Sequence, residues 1–306
     1  MLQMLVGTKI PFMKYRRFTY VFSGAVLLAT AGWLAAHGGP RMSVDFTGGT
    51  LLQVRSSPAV AADRMRSTLD AAGFRGVELQ QLSGAGGQSE YLIRMKTRQK
   101  GDAFPAIQTA VSERLPGVTL ELRRTEQVGP KVGKELREKA LWAILGSLSG
   151  ILLYVGVRYE FKFALGAVVA LFHDVFVTLG VLSFAGREVS LTVLAALLTI
   201  AGYSINDTIV VFDRIRERVK ALRKETHARV MDIAVNETLS RTIITAFTVF
   251  LTALALLVWG GEVLRDFSFA MVVGTVFGTY SSVYVASALA LDIWIWLDRR
   301  KGIQAS

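Results

Sequence analysis

Ionisable residues within long apolar stretches are the chemically most suggestive feature of this sequence. Asp207 lies in the apolar run from about Leu191 to Phe212, at a depth of about 24 Å from the start of that run at 1.5 Å per helical residue. A short carboxylate cannot reach the interface from there, and a charge in hydrocarbon is costly unless it has a partner or a function. We therefore expect a functional or pairing role for Asp207, and a purely structural hydrogen bond is the alternative.

Two other polar positions accompany it. His173 and Asp174 lie near the middle of the preceding apolar run, and Arg241 follows the polar stretch 236–240 at the start of the next one. A histidine within a membrane is as typical of an interhelical hydrogen-bond donor as of a proton relay, so both interpretations stay open. For Arg241, partnering a carboxylate and anchoring at the interface are both compatible with the sequence.

A polar stripe runs along the helix that carries Asp207. Because seven residues make nearly two helical turns, Asn206 and Asp213 share one face, while Asp207 and Arg214 share the next. Asp213 and Arg214 also occupy positions where the helix would end among lipid headgroups, which is their simpler interpretation.

The composition favours a membrane protein. The 306 residues carry 35 Lys plus Arg against 24 Asp plus Glu, a net charge of +11, but only 19% are charged and the mean hydropathy is +0.41. Since the basic residues are concentrated between apolar runs, they weaken the alternative of a nucleic-acid partner. The absence of Cys excludes a disulfide scaffold, a Cys-ligated zinc site and a thiol nucleophile.

Six apolar runs approach the roughly 20 residues that a helix needs to cross a bilayer. They cover approximately 18–36, 140–157, 163–185, 191–212, 242–260 and 267–291. Most Lys and Arg of the short connections lie in the N-terminal segment, after the second and fourth runs, and in the tail, whereas the other short loops hold only Arg187 and Arg265. The positive-inside rule therefore predicts that both termini are cytoplasmic. The first run is predicted to be an uncleaved anchor, with a cleaved signal peptide as the alternative.

The segment 37–139 has the pattern of a small α+β domain and is predicted to lie outside the membrane, on the side opposite the termini. Strands are predicted at about 44–54, 77–82, 90–95 and 118–124, and helices at about 58–72 and 102–115. The order βαββαβ is that of a ferredoxin-like unit. We thus expect an α-helical polytopic membrane protein with six transmembrane helices and one ferredoxin-like domain between the first two. The remaining predicted parts are a cytoplasmic N-terminus at 1–17, transmembrane helices 2–6 within 140–297, a basic cytoplasmic loop at about 213–241 and a cytoplasmic tail at 298–306.

Small residues and missing motifs add two further expectations. Gly146 with Gly150, and Gly274 with Gly278, have the spacing of close helix packing, either inside the bundle or against a partner subunit. The sequence has no GxxxxGK[ST] loop and no HExxH, and its three His residues are widely scattered. We expect neither an enzyme nor a bound cofactor or metal.

Several short motifs occur in a fixed order along the chain. They are Asp45-Phe46-Thr47-Gly48-Gly49-Thr50, Val128-Gly129-Pro130-Lys131-Val132-Gly133, His173-Asp174, the stretch GYSINDTIVVFDRIRE at 202–217, and Leu239-Ser240-Arg241-Thr242. In this order, and with one exported domain after the first span, they closely resemble the SecD/SecF family of bacterial protein-export membrane proteins in the RND superfamily. The resemblance covers nearly the whole chain and implies a bacterial inner-membrane protein whose exported domain is periplasmic.

The resemblance implies a half-transporter whose six spans pair with those of SecD. It implies that the proton motive force promotes translocation of unfolded preproteins through the SecYEG channel after the SecA ATPase has acted, with YajC and YidC as further family partners. Asp207 matches the family's proton-responsive carboxylate and Arg241 its basic counterpart. The expected coupling site is completed by Asn206, Asp174 and His173, with Asp213 and Arg214 at its cytoplasmic end.

A mechanism follows as a hypothesis. Protonation of Asp207 removes its attraction to Arg241 and lets the helices repack, and the change reaches the outer domain through a hinge at Gly129 and Pro130. Two other functions remain open. A half-size RND exporter of small molecules or lipids would need a larger exported region than about 100 residues, and a non-transporting scaffold would not need Asp207 in the bilayer.

Overall fold

The computed structural model describes residues 7–74, 77–82, 87–95, 103–159 and 161–300. They form two units, one built from Met1–Arg41 with Trp142–Ser306 and the other from Met42–Leu141. In chain order the helices are α1 (Arg16–Ala36), α2 (Val44–Thr47), α3 (Ala62–Ala71), α4 (Ala103–Arg114), α5 (Pro130–Arg158), α6 (Phe161–Phe184), α7 (Leu191–Ala221), α8 (His227–Trp259), α9 (Gly261–Tyr280) and α10 (Ser287–Arg300). A 3-10 turn at Phe12–Tyr15 precedes α1, and a π-helical segment at Ser281–Ala286 joins α9 to α10. The strands are β1 (Gly49–Ser57), β2 (Glu78–Gln81), β3 (Ser89–Met95) and β4 (Thr119–Val128).

The described part of the chain contains six helical stretches that are long and apolar enough to span a membrane. They are Phe12–Ala36, Pro130–Arg158, Phe163–Phe184, Leu191–Ala221, His227–Trp259 and Leu264–Arg300. The predicted class, a six-helix membrane protein with one small inserted domain, is therefore confirmed.

Helices α7 and α8 extend well beyond their apolar parts. They are 31 and 33 residues long and are separated only by residues 222–226, so the segment 213–241, which was predicted to be a loop, is otherwise helical. Thr226 ends the turn as an N-cap, because its hydroxyl accepts a hydrogen bond from the Arg229 N–H at 3.3 Å. Hydropathy detects only the apolar part of such a helix, whereas the Arg, Lys and Glu residues that follow are themselves good helix formers.

We call the unit built from Met1–Arg41 and Trp142–Ser306 the membrane unit. Its N-terminal residues bind to helices at one end of it. The Met13 N–H donates to Asp232 Oδ1 at 2.8 Å, and the amide of Asn236 makes hydrogen bonds of 2.9 Å with both the N–H and the carbonyl of Ile10. Arg16 pairs with Asp292 of α10 at 3.2 Å. The same end carries the turn 222–226, with Arg223 and Lys224, and the last turn of α10, with Arg299 and Arg300. We call it the basic end.

Glycines determine how closely some of these helices approach. A Cβ on Gly166 of α6 would lie 2.9 Å from the carbonyl oxygen of Ala286, and one on Gly274 of α9 would meet the side chain of Ile200 of α7. By contrast, a Cβ on Gly146 or Gly150 of α5 would meet no described residue within 4 Å. The pair on α9 thus packs inside the bundle, and the pair on α5 is free for a contact outside this chain.

The second unit is an antiparallel sheet in the order β2-β3-β1-β4 with α3 and α4 in the connections, as the ferredoxin-like prediction requires. Alternate residues of β3 are buried, and Tyr91 and Ile93 join Leu52 and Ile107 in its core. The segment between the strands predicted at 77–82 and 90–95 was predicted to be a hairpin connection, and its residues 83–86 lie outside the described residues.

The first predicted strand is wrong at its start. Residues 44–47 form the helical turn α2, because the Ser43 hydroxyl accepts a hydrogen bond from the Asp45 N–H and so caps it. Gly48, with φ of 71°, then redirects the chain into β1, which begins only at Gly49.

Candidate functional site

Asp207 lies in the middle part of α7 and faces α8. It is only 2% exposed, and the Thr245 hydroxyl of α8 lies 3.4 Å from its Oδ1. Its other oxygen, Oδ2, is buried and has no hydrogen-bond partner of acceptable geometry among the described residues, although the Tyr203 side chain also interacts with this carboxyl group. The carboxyl group is therefore held by weak contacts, and Oδ2 remains available for a proton or a water molecule.

The surroundings of Asp207 contain other unpaired polar atoms. The Tyr203 hydroxyl lies one turn before it on α7, and the Thr242 hydroxyl belongs to the facing helix. Both are buried and make no geometrically acceptable hydrogen bond. Two unpaired hydroxyls on the two helices that meet at this carboxyl group are unusual, because buried polar atoms are normally hydrogen-bonded. Such a site suits a group that changes its proton during a working cycle.

Arg241 lies on α8, one turn before Thr245, and is exposed. Its charge acts on Asp207, but among the described residues no ion pair within 4 Å joins the two side chains. The structure thus places them as neighbours that are not in contact.

A charged cavity of about 450 Å³ opens beside Arg241 towards the basic end. Arg214 crosses it to Glu217 at 2.8 Å and to Glu237 at 3.7 Å, and Glu237 also binds Arg218 at 2.7 Å. Burial, together with the charge of Asp213, raises the pKa of the Tyr159 phenol at its edge. The charged residues in its lining are Arg158, Asp213, Arg214, Glu217, Glu237 and Arg241.

Asn206 points away from the bundle. It is exposed, as is Gly202 one turn earlier on the same face of α7. An exposed amide at mid-depth of a spanning helix requires a hydrogen-bond partner that the described part of this chain does not supply.

His173 and Asp174 of α6 form a separate cluster on another side of α7. Both are almost fully buried. Asp174 Oδ2 accepts hydrogen bonds from the Ser204 hydroxyl of α7 at 2.6 Å and from the Ser281 hydroxyl at 2.7 Å, while its Oδ1 lies 3.1 Å from His173 Nδ1. The structure therefore does not bring this pair into contact with Asp207. We call Asp174, His173, Ser204 and Ser281 the Asp174 cluster.

The two glycine motifs of the second unit meet each other. A Cβ on Gly48 would lie 2.8 Å from Pro130 Cα, and one on Gly133 would lie 2.9 Å from Gly48 N. Phe46 is buried beneath this contact, Thr47 Oγ1 donates to the Ser43 carbonyl at 3.0 Å, and Thr50 is also buried. Asp45 lies in α2, Gly49 begins β1 and Gly129 directly precedes α5. A Cβ on Gly129 would meet no described atom within 4 Å.

Sequence reasoning missed the hydroxyl partners. Thr245, which faces Asp207, and Ser204 and Ser281, which hold Asp174, were not predicted as site residues. A signal existed in the adjacent polar residues Ser281 and Ser282 within an otherwise apolar span. Without the helix packing, however, nothing in the sequence shows which carboxyl group they meet.

Comparison with protein families places almost the whole chain in one group. The profile described as "Protein export membrane protein SecD/SecF, C-terminal" matches residues 108–296, and the one described as "SecD/SecF GG Motif" matches residues 33–60. The protein translocase subunit SecF of Vibrio alginolyticus is 43% identical over 303 residues, covering 96% of this chain and 93% of that protein. SecF of Pseudomonas aeruginosa is 39% identical, covering 96% of this chain and 92% of that protein.

Longer relatives carry an additional region. The protein translocase subunit SecDF of Thermus thermophilus is 41% identical over 99% of this chain, which spans 40% of that protein. A crystal structure of SecDF from Thermus thermophilus, described as a translocon-associated membrane protein, matches with a TM-score of 0.85 at 38% identity, over 97% of this chain and 40% of that one. A structure of SecDF in a super-membrane-facing form matches with a TM-score of 0.71 at 39% identity, over 98% of this chain and 40% of that one.

Proposed function

The chain belongs to the SecD/SecF family of protein export membrane proteins, and we propose that it acts as the SecF subunit of a protein translocase, using the proton motive force to promote export. Asp207 is the proton-responsive group and Arg241 its basic counterpart. Both termini are cytoplasmic and the unit 42–141 is periplasmic in this proposal.

The observation that carries the proposal is the environment of Asp207. A carboxylate at membrane depth is costly, yet this one is buried with an unpaired oxygen and only weak hydroxyl contacts. A residue selected only for stability would have its hydrogen bonds satisfied. A residue that accepts and releases protons must instead tolerate both the charged and the neutral form.

The charged cavity reaches Arg241, the basic counterpart of this residue, from the basic end. Arg241 lines the cavity and lies one turn from Thr245, which contacts Asp207. When Asp207 is ionised, the guanidinium is attracted to it, and when Asp207 is neutral, that attraction is lost. Helices α7 and α8 can then change their spacing, and this change would be passed to the rest of the molecule.

The exposed faces of the membrane unit support SecD as the partner. Asn206 and Gly202 leave a polar gap in the outer face of α7, and large side chains of α5 such as Trp142, Leu153 and Val157 are exposed. The SecDF relatives carry a further region joined to the part that this chain matches. We propose that a separate SecD bundle covers these faces here, and that SecYEG, SecA and an unfolded preprotein complete the working system, with YajC and YidC as accessory partners.

Gradient-dependent export by inverted membrane vesicles tests the proposal. The vesicles should contain equal amounts of the wild-type chain or of Asp207→Asn, with and without an ionophore. Asp207→Asn retains the size of the side chain but cannot ionise, so we expect ATP-driven translocation to persist and the part abolished by the ionophore to disappear. Asp298→Asn makes the same chemical change at the end of α10 and should behave as wild type. Full ionophore-sensitive export by Asp207→Asn would refute the role of this residue.

Arg241 is tested in the same assay. Arg241→Lys keeps the charge and Arg241→Met keeps only the bulk, so we expect the lysine variant to retain more gradient-dependent export. Equal export by the two variants would show that the charge beside Asp207 has no part in coupling.

A further inference from the structure

The Asp174 cluster joins three segments of the bundle at one fully buried point. Asp174 comes from α6, Ser204 from α7 and Ser281 from the first residue of the π-helical segment, and all three are at most 1% exposed. Gly278 allows this approach, because a Cβ there would lie 3.3 Å from Ser204 Cβ and 3.6 Å from Asp174 Oδ2. An alanine there would be in tight contact with Ser204, which would have to move by a few tenths of an ångström.

A hydroxyl bridge continues the cluster along α7. Thr208 Oγ1 lies 2.9 Å from Ser282 Oγ, and the Ser282 hydroxyl donates to the Ser204 carbonyl at 3.2 Å. Ser204 and Thr208 are one turn apart and face the π-helical segment, whereas Asp207 between them faces α8. The cluster and Asp207 therefore share the same two turns of α7, and a shift of those turns moves both.

The π-helical segment is the irregular partner of α7 in this contact, and we expect it to be the part that can rearrange. π-Helical turns occur mostly as short insertions in α-helices and often at functional sites. Here the Ser287 hydroxyl donates to the Ser282 carbonyl at 3.2 Å, which satisfies a carbonyl group within the irregular turns. A segment held by side-chain hydroxyls can change its pairing without breaking the helix on either side.

The Ser281 hydroxyl has two acceptors within reach. It lies 2.7 Å from Asp174 Oδ2 and 3.1 Å from the Gly278 carbonyl. When Asp174 is ionised, both serine hydroxyls donate to it. When Asp174 carries a proton on Oδ2, that proton is donated to a serine oxygen, and Ser281 turns its own proton to Gly278. Each protonation state thus has a complete set of hydrogen bonds.

His173 contacts the carboxyl group through one ring nitrogen, since its Nδ1 lies 3.1 Å from Asp174 Oδ1. Its Nε2 atom is buried and has no hydrogen-bond partner among the described residues. Among the described residues, His173 is the only titratable side chain in a hydrogen bond or ion pair with Asp174. The Tyr280 ring of α9 lies 6.0 Å from the His173 ring, and its hydroxyl is paired with Ser23 of α1 at 3.0 Å.

We propose that the Asp174 cluster is a second proton-binding site. Whether a proton is bound there determines how α7 packs against the π-helical segment, and thereby the position of Asp207 relative to α8. Asp174 is a positioning residue in this arrangement, separate from the carboxyl group that faces Arg241. The binding of a proton here stands on the geometry of the cluster alone, and the effect on Asp207 rests on the function proposed above.

Infrared spectroscopy of the full chain in lipid nanodiscs tests proton binding without any export assay. On lowering the pH we expect a carboxylic C=O band that Asp174→Asn removes and that Asp207→Asn and Asp298→Asn both retain. Ser281→Ala should move this band to a higher wavenumber, because the carboxyl group loses a hydrogen-bond partner. If Asp174→Asn failed to fold, the band shift in Ser281→Ala would still decide the matter. No band assignable to Asp174 at any pH would overturn the proposal.

A distance measurement tests positioning. The chain lacks Cys, so spin labels can be placed on Leu165→Cys of α6 and Arg216→Cys of α7, which are both exposed. We expect the distance between the labels to change with pH in the wild-type background and in Asp207→Asn, and to be independent of pH in Asp174→Asn. Dependence that is lost in Asp207→Asn and kept in Asp174→Asn would overturn the positioning role. Loss of coupling at Asp207 in the export assay would leave both of these results unaffected.

Discussion

Replacing Gly133 by Ala should loosen the contact between the two glycine motifs. The added Cβ would lie 2.9 Å from Gly48 N and 3.1 Å from the Phe46 carbonyl oxygen. Both are main-chain atoms, so neither can rotate away as a side chain would. Overpacking of this kind costs about 3 kcal/mol at the upper end of its usual range. Alanine regains about 1 kcal/mol over glycine inside a helix, which leaves a net loss of about 2 kcal/mol.

Amide hydrogen exchange of the peptide covering residues 43–50 measures this loss. The Gly48 N–H donates to the Val44 carbonyl at 2.9 Å within α2, so its exchange reports opening of the contact. A loss of about 2 kcal/mol corresponds to exchange that is about 30-fold faster.

Gly129→Ala is the matched control, because it makes the same change four residues earlier, where a Cβ would meet no described atom within 4 Å. We expect exchange in this variant to stay at the wild-type rate. If Gly133→Ala exchanged like the wild type, or if both variants accelerated equally, close packing at Gly133 would not explain the motif.

Two further predictions use other parts of the chain. Membrane topology can be read in intact cells from an impermeant thiol reagent, which should modify Ser67→Cys on the exposed face of α3 and leave Glu225→Cys between α7 and α8 unmodified. The reverse pattern would invert the proposed orientation. Gly166→Ala should lower the melting temperature in detergent, since its Cβ would press on the Ala286 carbonyl, at a cost of about 1–3 kcal/mol, whereas Gly146→Ala should not. Equal melting temperatures would show that α6 can move aside freely.

The sequence determines the spans and the inserted domain because both depend on patterns that a single segment carries. Uninterrupted apolar runs predict the spanning helices, and alternation predicts β3 and its neighbours. The turn at 44–47 is different, because it depends on Ser43 acting as a cap and on the positive φ of Gly48. Val44 and Phe46 also alternate with polar residues, so a strand was the natural prediction.

The candidate site was only partly accessible to sequence reasoning. The cost of charge in a membrane singles out Asp207 and Asp174 wherever their helices pack. Their partners depend on helix rotation and crossing, which no local pattern encodes. Sequence spacing put Asp207 and Arg214 on one face, but the arginine whose charge acts on Asp207 is Arg241 of α8.

The fastening of the N-terminal residues at the basic end has a consequence for biosynthesis. Ile10 binds Asn236, which is 226 residues later in the chain. At about 5–20 residues per second, the ribosome takes roughly 10–45 s to deliver that partner after Ile10 has been made. During this interval the Ile10 and Met13 amides must be satisfied by water or by a chaperone, and α1 can tilt or slide in the bilayer. The last helices to be synthesised, rather than the first, therefore fix the final position of α1.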